Sequence, residues 1–306
     1  MSWQFEPIGT ACESALGGLA WVDKVVLYSA PEEGRILAYD PASNAVTEFR
    51  RYTNRTDGLA RAPDGSVYGA QQGGRRIVHF THDGATAVMP HLLDRHYHNQ
   101  PNNLIVDAHG SIWFTDPHST VRSAGPQIFP PLEHASVLRL DHEAHRRLWD
   151  LKRVTNDTHA PRALALSHDE RTLYVAETDN TPGGKRELRA YALQNREVVG
   201  SPSVLHTFGK DYRGPHRGIE GMCLDAEGNL IACAGWERSG PGPMVYVFAP
   251  TGEILGSHRV PADMPVGCAF GGADLATLYV TTAAGVLLRV RDSGLRGFPP
   301  KFEGVK

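Results

Sequence analysis

The chain has 306 residues, 41% of them apolar and 21% charged, with 31 Lys+Arg against 34 Asp+Glu and a formal net charge of −3. That length buries a sizeable core, balanced charge offers no basic face for nucleic acid, and no apolar run approaches the ~20 residues of a membrane span. Neither a nucleic-acid partner nor a membrane is expected.

The opening Met1-Ser2-Trp3-Gln4-Phe5-Glu6 has no basic segment followed by an apolar one, so a cytoplasmic protein is expected. Cys12, Cys223, Cys233 and Cys268 form no C-x-x-C pair. They read as buried thiols in a reducing compartment.

In chain order, residues 2–8 are strand-like, and a unit then recurs six times. The first copy pairs Gly17–Trp21 with Val26–Tyr28. The second is Asp57-Gly58-Leu59-Ala60 with Val67–Ala70. The third is Asn102–Val106 with Ile112–Thr115. The fourth is Arg162–Leu166 with Leu173–Ala176, the fifth Glu220–Leu224 with Leu230–Ala232, and the sixth Gly267–Phe270 with Leu278–Val280. From Asp57 to Gly65, Asn102 to Gly110 and Glu220 to Gly228 is eight residues each time, and in the fourth copy Glu170 takes that place. Each unit reads as a hairpin with a tight Asp/Gly turn. Further strand-like runs separate the units, such as Arg35–Tyr39 and Val245–Phe248, and helical periodicity is nearly absent. Six copies of about four strands predict one all-β, six-bladed β-propeller over residues 1–306. Its last blade would pair with residues 2–8 near 285–291.

In such a fold the first strand of each hairpin lines the channel, and its first residue sits at one mouth. Those residues are Gly17, Asp57, Asn102, Arg162, Glu220, and Val266 or Gly267. The loop over residues 116–135, carrying His118, Arg122 and Phe129, joins the same rim, as do Gln72, Asn103, His216, Arg217 and Trp236. The expected site therefore has Arg162, Glu220, Asp57 and Asn102 as its chemical groups. Gln72, Asn103, His118, His216, Trp236 and Phe129 would shape the substrate pocket.

These residues resemble the gluconolactonase / regucalcin (senescence marker protein) / luciferin-regenerating-enzyme family. The resemblance runs over nearly the whole chain. It is carried by Asn99-Gln100-Pro101-Asn102-Asn103-Leu104 and Phe114-Thr115-Asp116-Pro117, like the family's N-S-P-N-D-L…F-T-D-P, and by Gly73–Ile77 and Cys268–Gly272. It implies lactone hydrolysis with one divalent cation at the channel mouth. Position by position, the family's Glu ligand falls on Gly17, its Asn ligand on Arg162 and its Asp ligand on Glu220. Its Asn that serves water or substrate is kept as Asn102, and the Asp after that falls on Asn103. A guanidinium ~4 Å from a dication costs roughly 8 kcal/mol at an effective dielectric near 20.

The expectation is a hydrolase that opens a small lactone or related ester ring without that metal. Arg162 takes the cation's place, Glu220 or Asp57 is the base, and no cofactor is needed. Rim cations Arg122, Arg162, Arg213 and Arg217 hint at an anionic small-molecule substrate. One alternative is a calcium, zinc or iron lactonase whose ligands are rearranged onto Asn102, Glu220 and Asp57. Another is a non-hydrolytic lyase, isomerase or small-anion-binding propeller.

Overall fold

The computed structural model describes residues 3–62, 65–81, 85–118, 129–143 and 148–299, and among these there is no helix. Six four-stranded antiparallel sheets follow one another in chain order. Their innermost strands are Leu19–Val22, Thr56–Arg61, Leu104–Val106, Pro161–Leu166, Ile219–Leu224 and Pro265–Gly271, one in each of blades one to six. Blade six is completed by Glu6–Ile8, with Glu6 opposite Arg289 and Ile8 opposite Leu287. The ring is thus closed by the start of the chain, as the strand-like first residues foretold.

The hairpin register also holds. Gly65, Gly110 and Gly228 have φ of 85, 82 and 86°, and Glu170, at the same place in blade four, has φ 55°. These turns need a left-handed residue, which glycine supplies without steric cost. Asp107 and Asp225 pin two of them, each accepting backbone N–H bonds from residues two and four further on.

The core is divided among the blade junctions. Six apolar clusters each join two neighbouring blades, including one between blades six and one. Alternate residues along a strand therefore serve different clusters: Phe114 packs toward blade two and Trp113 toward blade four. Both faces of a blade's second strand are covered, so Val67–Gln71 and Ile112–Asp116 are buried at every position.

Hydroxyls tie one blade to the next at the mouth. Ser29 donates to the Asp57 carbonyl (2.6 Å), Thr115 to that of Arg162 (3.1 Å), Thr178 to that of Ile219 (2.7 Å) and Thr281 to that of Gly17 (2.6 Å). Two small ribbons, Leu92–Leu93 with His96–Tyr97 and Lys210–Asp211 with Gly214–Pro215, stand in the segments that lead into blades three and five. The repeat pattern had not resolved them, because two-residue strands carry no periodicity.

Candidate active site at the channel mouth

The first residues of the inner strands meet around a cavity of about 230 Å³. Gly18, Asp57, Asn102, Asn103, Arg162, Glu220 and Val266 line it, joined by Gln72 and Arg217. A local irregularity puts several of them there. The strand register shifts between Thr56 and Leu59, Pro161 and Ala163, Ile219 and Gly221, and Pro265 and Gly267. Asp57, Arg162, Glu220 and Val266 all fall in these gaps. A bulge leaves its extra residue unpaired and bends the strand, which frees these side chains to face the mouth.

Asp57 is held by neutral partners. Its Oδ2 accepts hydrogen bonds from Gln72 Nε2 and Asn102 Nδ2, both at 2.6 Å. Withdrawal from water pushes its carboxyl up to about 6, against the downward pull of Arg162 and with the added repulsion of Glu220. Its Oδ1 points at Gly17: a Cβ there would stand 2.2 Å from that oxygen and 2.5 Å from Ser29 Oγ. The backbone at Gly17 is thus open only because it carries no side chain, and Asp57 fills the space.

Glu220 is held by cations. Arg217 Nε donates to its Oε1 at 2.6 Å, and Arg162 Nε lies 3.2 Å from its Oε2. Arg217 in turn lies 5.3 Å over the ring of Trp236, whose Nε1 donates to Ser239. Among the described residues, the terminal nitrogens of Arg162 donate to nothing, and its side chain is 28% exposed.

This donor set does not fit the divalent cation that the resemblance implies. Both oxygens of Glu220 already face guanidinium groups, and Gly17 supplies no ligand. Hard dications take several oxygen donors, and two arginines within the same cluster repel one. No cluster of three or more potential ligands of the His, Cys, Asp and Glu types occurs among the described residues.

The remaining residues named from sequence are more scattered. His216 is buried, stacked 4.4 Å from Phe208 and accepting the Gly218 N–H, and burial lowers its imidazole to about 4. It does not line the cavity. Phe129 packs edge-on against Tyr97 at 5.4 Å, and His118 is exposed beyond blade three; neither lines the cavity. Trp236 does not line the cavity but lies beneath Arg217, which does. Arg213 is tied to Asp211, and Arg122 lies outside the described residues.

Sequence reasoning missed the Arg55–Glu32 ion pair on the cavity wall. It also missed the use of Asp116, a buried carboxylate pushed up to about 7 by its burial. Asp116 accepts the Asn99 N–H at 2.7 Å and fixes the segment that leads into Asn102. The F-T-D-P run was the available signal, since it sets a carboxyl at the end of an otherwise largely apolar, buried strand beside Pro117.

A six-bladed propeller whose mouth gathers a desolvated carboxylate, amides and guanidinium groups around a small cavity is an enzyme-like scaffold. The chain belongs to the SMP-30/Gluconolactonase/LRE-like family, whose model matches residues 17–284. A gluconolactonase of Zymomonas mobilis is 29% identical over 85% of this chain and 70% of its own length. A pentonolactonase of Haloferax volcanii is 28% identical over 91% of this chain and 84% of its own. The solved structure of a gluconolactonase from Xanthomonas campestris superposes with a TM-score of 0.74 at 27% identity, covering 90% of this chain and 86% of that one.

Proposed function

We propose that this protein, a lactone-hydrolysing enzyme by its relatives, opens its substrate ring at the channel mouth without a bound divalent metal. The observation that carries this reading is the Arg162 guanidinium at the mouth, paired at 3.2 Å with Glu220 where a metal would need that carboxylate.

The lactone carbonyl oxygen faces the terminal nitrogens of Arg162. A water beside Asp57 gives its proton to that carboxylate as its oxygen bonds to the carbonyl carbon. The tetrahedral oxyanion is stabilised by the Arg162 N–H groups. On collapse the ring C–O bond breaks, and Asp57 returns the proton to the leaving alkoxide, yielding the open hydroxy acid. Gln72 and Asn102 orient the carboxylate through Oδ2. Glu220 orients the two guanidinium groups and is not the base.

A cavity of about 230 Å³ suits a lactone the size of a single sugar ring. Its charged lining is Arg55, Arg162 and Arg217 against Glu32, Asp57 and Glu220. These three cations and three anions favour a neutral polyhydroxylated ring over the anionic substrate suggested by the rim arginines. Replacing Arg162 by Met is expected to lower kcat/KM roughly 10²–10³-fold, while dialysis against a chelator leaves wild-type turnover unchanged. A stoichiometric cation whose removal abolishes activity would overturn this reading.

A further inference from the structure

Three of the four free cysteines, distant in sequence, converge on the junction of blades five and six. Cys223 lies on the inner strand of blade five, Cys268 on that of blade six, and Cys233 on the second strand of blade five. All three belong to one apolar cluster. Cys268 Sγ is 3.6 Å from Cys223 Sγ and 3.2 Å from the Ile231 carbonyl. The backbones here are already in contact: a Cβ on Gly221 would meet the Val266 carbonyl at 2.2 Å and Gly267 Cα at 2.8 Å.

The pair is also reachable. Cys223 and Cys268 both line an apolar cavity of about 300 Å³ along the channel, beneath the mouth. Cys223 further borders a cleft of about 860 Å³ on the opposite face, among the hairpin turns of blades three and four. Cys233 is wholly buried and borders neither.

We infer that Cys223 and Cys268 form a peroxide-sensitive dithiol that closes into a disulfide linking blade five to blade six. The oxidant is a small hydroperoxide entering from the face opposite the catalytic mouth. The Cys223 thiol gives up its proton and its sulfur attacks one peroxide oxygen, so that an S–O bond forms and the O–O bond breaks, and the departing hydroxide takes that proton and leaves as water. Cys268 sulfur then attacks the resulting sulfenic acid. The S–S bond forms, the S–O bond breaks, and the departing hydroxide takes the Cys268 proton as a second water. Two thiols are oxidised and one peroxide is reduced.

The test uses the intact protein and excess hydrogen peroxide. Free thiols counted in denaturant are expected to fall from four to two, with a Cys223–Cys268 linked peptide found by mass spectrometry. The bond closes a span of 45 residues and is expected to raise the melting temperature by roughly 5 °C, reversed by dithiothreitol. Cys223→Ser and Cys268→Ser each keep their three remaining thiols, whereas Cys233→Ser and Cys12→Ser fall from three to one. An unchanged count of four in the wild type would overturn the inference. So would a linkage through Cys233 or Cys12, or loss of thiol that dithiothreitol does not reverse. The wild-type peptide map decides the matter even where a serine variant fails to fold.

Discussion

On the blade-two side of the mouth, Asp57 is gripped by two neutral amides; on the blade-five side, Glu220 is gripped by two guanidinium groups. Both carboxylates occupy bulges at equivalent places in the repeat. With neutral partners on its oxygen, the cost of desolvation outweighs the pull of Arg162, so Asp57 binds its proton up to about pH 6 and can give and take it near neutrality. Cationic partners hold a carboxylate in place as a counter-ion. In the proposed mechanism, equivalent positions in a repeat would hold a base and an anchor, with their surroundings dividing the roles.

Replacing Asp57 by Asn attacks the first side directly. A loss of about 10³-fold in kcat is expected, and the rise of wild-type activity through pH 6 should vanish from the residual rate. The same raised carboxyl has a folding consequence. Because the folded state holds that proton more tightly than the unfolded one, its stabilising contribution is full below about pH 4 and is lost as pH rises through about 6. Thermal melts of wild type and Asp57→Asn should therefore diverge in that window.

Glu220→Gln probes the other side. It should cost roughly 30-fold, on the order of 2 kcal/mol, by loosening Arg162 and Arg217, yet keep the rise near pH 6. A pH–rate profile in which Glu220→Gln removes that rise, and Asp57→Asn does not, would exchange the two roles.

Gly17→Ala sharpens the comparison without replacing either carboxylate. Its Cβ would collide with Asp57 Oδ1, so Asp57 must swing away and kcat should fall about tenfold, roughly 1.4 kcal/mol. Circular dichroism should stay native. The smallest effect is expected from Trp236→Ala, which removes the face under Arg217. A few-fold rise in KM is expected, in keeping with about 0.5–1 kcal/mol for a partly exposed cation–π contact.

Much of the architecture was legible in the chain itself. The eight-residue spacing from Asp57 to Gly65, repeated at Gly110 and Gly228, marks real turns of left-handed backbone. Residues 2–8 read as the missing strand, and Glu6–Ile8 fills that place. The members of the mouth ring were legible too, because blade geometry alone carries each hairpin's first residue to one rim. The surrounding shell was not. His216 and Phe129 lie in segments that approach the rim, yet their apolar neighbours Phe208 and Tyr97 draw them into packing instead. No local pattern states which way a loop side chain turns.

The sequence by itself determined the number of blades, the closing strand and the set of groups at the channel mouth, because each follows from spacing along the chain. Only the tertiary structure decided that four of those groups stand in bulges, that Asp57 occupies the space beside Gly17, and that Cys223 meets Cys268. These depend on contacts between blades some tens of residues apart. Such contacts are fixed when the ring closes and the junctions pack, and a repeat read one unit at a time does not contain them.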